Sequence, residues 1–309
     1  MDILTSIQPV IKNSRHVAIS HEGIEKFVRE FDRRNCMHWL QISPIDIMQL
    51  DEETRIGFLF ALNSISFSYW GNPKWEIEFH GKTHSFGTQA MMASLARALE
   101  EDIPVCDPSY LAALQREELR YILRGNVEIP LLDERVRILQ EVGTVTQREF
   151  NGDYRRIVAA AQLDAVQFVS LLISMFPSFH DSSRYKGHAV YFHKRAQLLA
   201  SDIHYCMCPL DNFDAMTACA DYKLPLVLRR YGILKYTPPL ESRIRQEEHL
   251  EAESEEEIEI RAHTIHAVEL MKEKINGVSS SQLNDYLWLH GQTRFPHDEP
   301  YHKTRTIAY

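Results

Sequence analysis

Three short stretches hold residue types and spacings that can do chemistry. From Tyr191 onward, Ala196, Leu199 and Ile203 recur on one helical face, which puts Lys194 and Arg195 at a helix start. The helix dipole presents partial positive charge there, so these are either solvated surface cations or cations held for an anion. In Ala220-Asp221-Tyr222-Lys223-Leu224-Pro225, the proline reads as the first position of a helix ending before Gly232. Asp214 reads as the cap of a short preceding helix, Ala215 to Cys219, and Asp221 falls in the turn between the two. As a plain N-cap Asp221 is worth about 1 kcal/mol. It stands one residue farther from Pro225 than a cap prefers, which keeps open a second role, a positioned carboxylate beside a cleft. The third stretch is Asn284-Asp285-Tyr286-Leu287-Trp288, followed by His302 to Tyr309. Its aromatics serve either a core or a ligand platform. A terminal segment so rich in specific side chains is expected to dock.

The elements that must position these residues read mostly as helix. Arg55 to Ser64 is apolar enough for a buried helix and leads into Phe67-Ser68-Tyr69-Trp70, and Gly71-Asn72-Pro73 breaks the chain. Trp75 to Phe79 alternates strictly and is turned by His80-Gly81-Lys82, the pattern of a β-hairpin. Helices are expected from Gly87 to Glu100, from Asp107-Pro108 onward, from Ile129-Pro130 to a stop at Gly143, and from Tyr154 to Phe176 as the longest. The predicted fold is therefore mainly α with one small β-hairpin, without the strand–helix alternation of a parallel α/β sheet. Arg245 to Glu259, RQEEHLEAESEEEIE, reads as a solvated acidic segment, or else as a docking surface for a basic partner.

Composition narrows the function classes. The chain has 309 residues, 44% hydrophobic and 25% charged, enough for a buried core without disulfides. Its net charge of −9 argues against a long polyanion as main partner, while a small anion held by a few local cations stays compatible. Five cysteines without a CxxC read as free thiols in a reducing compartment. The first residues lack the basic and apolar regions of a signal peptide, and no apolar run is long enough for a membrane span. A cytoplasmic protein without a membrane partner is expected. The chain contains no phosphate-cradling Gly-rich loop, HExxH, GxSxG or EF-hand, and His188, His193 and His302 have no ligand spacing, so neither metal nor cofactor is expected.

Taken in order along the chain, these stretches resemble the queuosine salvage protein family, the queuosine 5′-phosphate N-glycosylase/hydrolases. The likeness rests on Asn13-Ser14-Arg15, Phe67-Ser68-Tyr69-Trp70, Arg97-Ala98-Leu99-Glu100, Ile122-Leu123-Arg124, Pro130-Leu131-Leu132 and Glu134-Arg135. It continues through Phe176-Pro177-Ser178-Phe179, Lys194-Arg195-Ala196-Gln197, Ala220 to Pro225, and Glu257 to Arg261. The resemblance implies hydrolysis of the N-glycosidic bond of queuosine 5′-phosphate, releasing queuine for salvage into tRNA modification, on a helix-hairpin-helix glycosylase-like helical domain. It implies one globular unit, 1–309, with a helical and hairpin lobe at 1–105 and a helical catalytic lobe at 106–309. Lys194 and Asp221 match the family's catalytic lysine and aspartate.

That chemistry builds positive charge on the ribose ring, which a carboxylate can stabilise while it orients water. The base is a 7-deazaguanine and cannot be protonated at the usual N7 as it leaves. Phe67, Tyr69 and Trp288 are candidates for stacking it, and Asp214 for its polar edge; Lys194, Arg195 and Arg305 are candidates for the 5′-phosphate. Departures from the family's pattern touch the pocket. Ser66 stands where a longer donor is usual, Leu210 replaces a Phe, and Asn284 occupies the place of an Asp, with Asp285 adjacent. Two other readings compete: a polynucleotide-binding or base-excising helical relative without mononucleotide hydrolysis, which the net charge disfavours, and a helical interaction protein using residues 247–259.

Overall fold

The computed structural model describes residues 2–309. The described residues form fourteen α-helices and six short strands. The chain opens with α1 (Ile3–Asn13), β1 (Val17–Ile19) and α2 (His21–Glu30), then reaches α3 (Glu52–Ser64) through irregular turns. The hairpin β2 (Ile77–Phe79) and β3 (Lys82–His84) precedes α4 (Gly87–Glu100), α5 (Pro108–Ala113), α6 (Arg116–Ile122) and α7 (Leu132–Phe150). Next come α8 (Tyr154–Ala160), α9 (Ala165–Met175), the hairpin β4 (Ser182–Tyr185) and β5 (His188–Tyr191), and α10 (Lys194–Cys206). The last part holds α11 (Lys223–Arg230), β6 (Leu234–Tyr236), α12 (Pro238–Arg245), α13 (Glu255–Lys274) and α14 (Ser280–His290).

The mainly helical architecture agrees with the reading of the sequence, and the expected hairpin pairs Ile77 with His84 and Phe79 with Lys82. Two further antiparallel pairs, β4 with β5 and β1 with the distant β6, are too short for their alternation to be read. Asp51 and Asp107 cap α3 and α5 by accepting from Thr54 N at 3.0 Å and Ser109 N at 2.7 Å. The expected helix from Tyr154 to Phe176 is two helices, because Gln162 and Leu163 turn left-handed and Asp164 caps a new start through Gln167 N at 2.8 Å. The stretch 215–219 is not a helix: after a single 3-10 turn at Phe213–Ala215 the chain runs irregularly into the turn of Asp221.

Gly143 does not end a helix but lies inside α7. A Cβ there would meet the backbone of α5, with Pro108 O only 2.5 Å away, so the glycine exists to let the two helices touch. The acidic segment also divides differently from the expectation of a solvated face. Residues 245–249 and 251–253 are exposed, whereas Glu257 and Glu259 are buried on α13 among Ile258, Ile260 and Ala262. Glu259 is fully engaged: it accepts from Ser14 Oγ and His16 N at 2.7 Å, from Arg15 N at 3.0 Å and from Tyr185 OH at 2.8 Å.

Three packed clusters make the core. The largest gathers α3, α4, α7, α9 and α10, and so joins residues on both sides of position 105. The second gathers α2, α11, α13 and α14, and the third gathers α1, the β4–β5 hairpin and the start of α13. Among the described residues no helix is long and apolar enough to cross a membrane. Gly143→Ala is expected to force α5 and α7 apart and lower the unfolding free energy by roughly 1–3 kcal/mol, read by urea denaturation; an unchanged midpoint would contradict the tight helix crossing.

Candidate active site

A cavity of about 490 Å³ opens between the first and second clusters. Its wall is supplied by the segment after α3, the start of α4, the first turns of α10 and α11, one face of α14 and the tail beyond it. Lys194, Asp221, Phe67, Tyr69, Asn284 and Trp288, all singled out in the sequence, lie on that wall.

Lys194 is the first residue of α10, and His193 before it takes a left-handed φ of 48°. Such a conformation costs a non-glycine residue energy and persists only where its surroundings hold it. Asp181 supplies the hold. Its carbonyl accepts from Phe192 N at 3.0 Å and His193 N at 3.1 Å, and its carboxylate accepts from Lys194 N at 3.1 Å. Lys194 is buried except for its face on the cavity, and among the described residues no hydrogen bond reaches its Nζ.

Asp221 lies two residues before α11. One oxygen, Oδ1, accepts from Lys223 N at 2.7 Å and Leu224 N at 3.1 Å. It therefore caps the helix as well as facing the cavity, and among the described residues Oδ2 has no hydrogen-bond partner. The two roles weighed from the sequence coexist. Burial raises the Asp221 carboxyl above its ordinary value, opposed by the Lys194 charge and the two amides. Burial lowers the Lys194 ammonium, opposed by Asp221. Each group thus keeps its partner charged in a place where either alone would drift towards neutrality.

One buried ion pair holds both residues. Arg261 of α13 grips Asp181 with two bonds, of 2.9 and 2.6 Å, while its Nε donates to the carbonyl of Ala220 at 3.3 Å. Asp181 fixes the backbone of Lys194, and Arg261 fixes the residue next to Asp221. Burial alone would raise Asp181, but Arg261 and its hydrogen bonds hold the carboxyl below its ordinary value. Neither residue pointed to this role in the sequence, because 80 positions separate them.

The aromatic part of the wall is similarly braced. The Phe67 ring lies 4.2 Å from the Arg135 guanidinium and 5.3 Å from that of Arg195. Tyr69 donates to Ser66 Oγ at 3.0 Å and stacks on Trp75. Trp288 meets Trp39 edge-on at 5.6 Å. Trp39 opens a four-residue 3-10 turn, Trp39–Ile42, too short for any periodicity to mark it. Its indole donates to Asp202 Oδ1 at 2.9 Å and its amide to Asp285 Oδ2 at 3.3 Å. Burial pushes Asp202, behind the wall, well above the ordinary carboxyl range and Asp285 beside it up to about 7. Asn284 connects the wall to it, accepting from Cys219 N at 2.9 Å and donating to Asp285 Oδ1 at 3.0 Å.

The other candidates stand elsewhere. Arg195 is buried behind Phe67 and donates to the carbonyls of Ser64 and Ser178. Arg305 lies over the Trp70 ring at 3.7 Å and donates to the carbonyl of Trp70 at 3.2 Å. Asp285 stands one layer behind Asn284, and Asp214 is exposed in its 3-10 turn, away from the wall. The final segment docks as expected: Ser68 N donates to Tyr309 O at 2.9 Å and Ser68 Oγ to Thr306 O at 2.6 Å, which brings Tyr309 onto the wall. His16, Glu255 and Glu259 bring ligand atoms within 4.8 Å of one another, but the donors already on Glu259 account for its carboxylate.

Comparison with known proteins adds to this geometry. The profile of a family described as queuosine salvage protein matches residues 47–309. A Sphaerobacter thermophilus protein named queuosine 5′-phosphate N-glycosylase/hydrolase is 36% identical, across 100% of this chain and 98% of its own length. Proteins of the same name from Mus musculus and Bos taurus are each 30% identical, across 97% of this chain and 96% of theirs.

Arg261→Met should leave Asp181 buried and unpaired and reduce stability by roughly 3–5 kcal/mol in chemical denaturation. Arg261→Lys keeps the charge without the two-pronged grip. It is expected to retain the fold yet lose turnover more than substrate affinity, and an unaffected kcat would contradict the positioning role.

Proposed function

The chain belongs to the queuosine salvage protein family, and on that premise we propose that it hydrolyses the N-glycosidic bond of queuosine 5′-phosphate and releases queuine. One observation carries the reading: a carboxylate with one oxygen pinned by helix amides and the other unbonded shares a nucleotide-sized cavity with a buried ammonium. In the reaction the bond between the anomeric carbon and the base nitrogen breaks, and its electron pair leaves with the base. The sugar left behind carries positive charge shared between C1′ and the ring oxygen. The free oxygen of Asp221 stabilises that charge and orients the water that adds to C1′; the proton this water gives up goes to the departing base anion, so one C–N and one O–H bond are exchanged for one C–O and one N–H bond. Because its other oxygen is fixed to α11, little reorganisation accompanies the charge development.

Lys194 keeps Asp221 ionised in the buried site and offers its ammonium to the ribose hydroxyls. Phe67, Tyr69, Trp39 and Trp288 supply aromatic surface for a planar base, each stacked ring worth roughly 1–3 kcal/mol. The enclosed volume favours a single nucleotide over a polynucleotide, in keeping with the net charge of −9.

Purified protein incubated with queuosine 5′-phosphate should release free queuine, detected by mass; no release would overturn the reading. Asp221→Asn is expected to lower kcat by about 10²–10⁴-fold with the fold intact, measured beside a circular dichroism control. The pH profile should be a bell. Its acid limb belongs to Asp221 and lies above 3.8, because burial raises that group. Its basic limb belongs to Lys194 and lies below 10.5, because burial lowers it. Lys194→Met removes the charge that opposes burial, so the acid limb of the residual activity should move up; a downward shift would refute the coupling.

A further inference from the structure

Arg261 holds the segments of Lys194 and Asp221, and its own orientation needs a cause. Its bonds to the two carboxylate oxygens of Asp181 and to the carbonyl of Ala220 are all made at the rim of the planar guanidinium. Rim bonds fix direction within the plane and leave the plane free to tilt. Tilt is limited by what packs on the faces, and two rings do so: the Phe192 ring centre lies 3.9 Å from the guanidinium carbon and that of Tyr309 4.6 Å. Phe192 belongs to the stretch that Asp181 already holds, through its amide. Tyr309 comes from the docked final segment and is anchored independently. Its carbonyl accepts from Ser68 N at 2.9 Å, and its hydroxyl donates to Glu257 of α13 and lies 3.2 Å from His302 Nε2. The residue is almost wholly buried and stands on the cavity wall.

We propose that Tyr309 is a positioning residue of this site: its ring holds the plane in which Arg261 grips Asp181 and Ala220, and so sets where Lys194 and Asp221 stand relative to each other. This rests on the hydrolase reading above and adds a residue that acts on turnover through Arg261. The relay is short. The ring meets the guanidinium, the guanidinium meets the Asp181 carboxylate, and that carboxylate accepts from the Lys194 amide at 3.1 Å. On its other side the guanidinium reaches Ala220, the neighbour of Asp221, at 3.3 Å. The ring can serve as a fixed surface because its far end is tied to Glu257 and His302 and its backbone to Ser68. Ser68 in turn lies between Phe67 and Tyr69, so the ring on Arg261 and the aromatic wall locate one another. A tilt of the guanidinium moves the two reacting side chains by fractions of an ångström. Displacements of that size slow a reaction far more than they weaken binding.

The test is a double-mutant cycle on kcat and KM for queuosine 5′-phosphate, with Tyr309→Leu, Arg261→Lys and the two combined. Tyr309→Leu should lower kcat by about tenfold to a hundredfold while KM changes by less than about threefold. Tyr309→Phe keeps the ring and should recover most of that loss. In the Arg261→Lys background the two-pronged grip is already gone, so Tyr309→Leu should cost little more. Fully additive losses, a higher KM at unchanged kcat, or equal losses in the Leu and Phe variants would overturn the positioning role. Tyr309→Met, closer in length, replaces Tyr309→Leu if that chain does not fold. Hydrogen exchange gives a readout without substrate: the His193 and Lys194 amides, which donate to Asp181, should exchange faster in Tyr309→Leu relative to amides of α7. A uniform change along the chain would reduce Tyr309 to a stabilising contact and sink the proposal. If the parent protein released no queuine, the hydrolase reading would fall, while the exchange at these two amides would still decide whether Tyr309 steadies Arg261.

Discussion

The Asp181–Arg261 ion pair is the constraint on which the rest of the site depends. Two buried charges are expensive to desolvate, and such a pair is tolerated only when its geometry is good and its remaining hydrogen-bonding capacity is filled. Here both conditions are met by backbone. Asp181 takes the amide of Lys194 as well as the guanidinium, and Arg261 takes the carbonyl of Ala220 as well as the carboxylate. The same bonds that satisfy the pair bring together two segments from different helices. An apolar pair of equal volume could fill the space, but it could not bind those peptide groups.

A second use of buried arginine builds the aromatic wall. After α3 the chain runs through the interior without helical or sheet partners, which would leave its carbonyls unsatisfied. Arg135 donates to Ile65 and Phe67, and Arg195 to Ser64 and Ser178. With several donors on a planar group, each arginine can serve two carbonyls at once and still present its face to Phe67. The irregular segment is therefore as fixed as a strand would be, yet it can turn consecutive side chains towards the cavity. Burial also weakens the hold of these guanidiniums on their protons, pulling both down to about 10, because carbonyl dipoles compensate their charge only in part.

Much of this was legible in the sequence where the signal was local. Lys194 at a helix start, Asp221 in a turn before another helix and the hairpin after Trp75 follow from period, caps and turn chemistry, and the docked final residues from their density of specific side chains. What was not legible depends on distance. Trp39 sits in a segment with no period, and its place on the wall is fixed by Asp202 and Asp285, remote in sequence. Glu257 and Glu259 look like members of a charge run, and only the loop of residues 14–17 and Arg261 explain why they are buried. Gly143 looks like a stop because glycine usually is one, whereas a helix contact was the cause. The subdivision near Gln162 was hidden because both halves share one apolar stripe.

The docking of residues 302–309 has a bearing on how the protein is made. Ser68 is joined to Thr306 and Tyr309 across 238 positions or more, and Leu250 N to Lys303 O at 2.8 Å. Contacts of that separation are among the last to form, since a long loop must close before they return any energy. On the ribosome, the lysine and the aspartate emerge long before the strap that finishes their enclosure. Enclosure of the cavity on this side therefore waits on the closure of some of the longest loops in the chain, and the wall that carries Tyr309 is completed after the elements it covers.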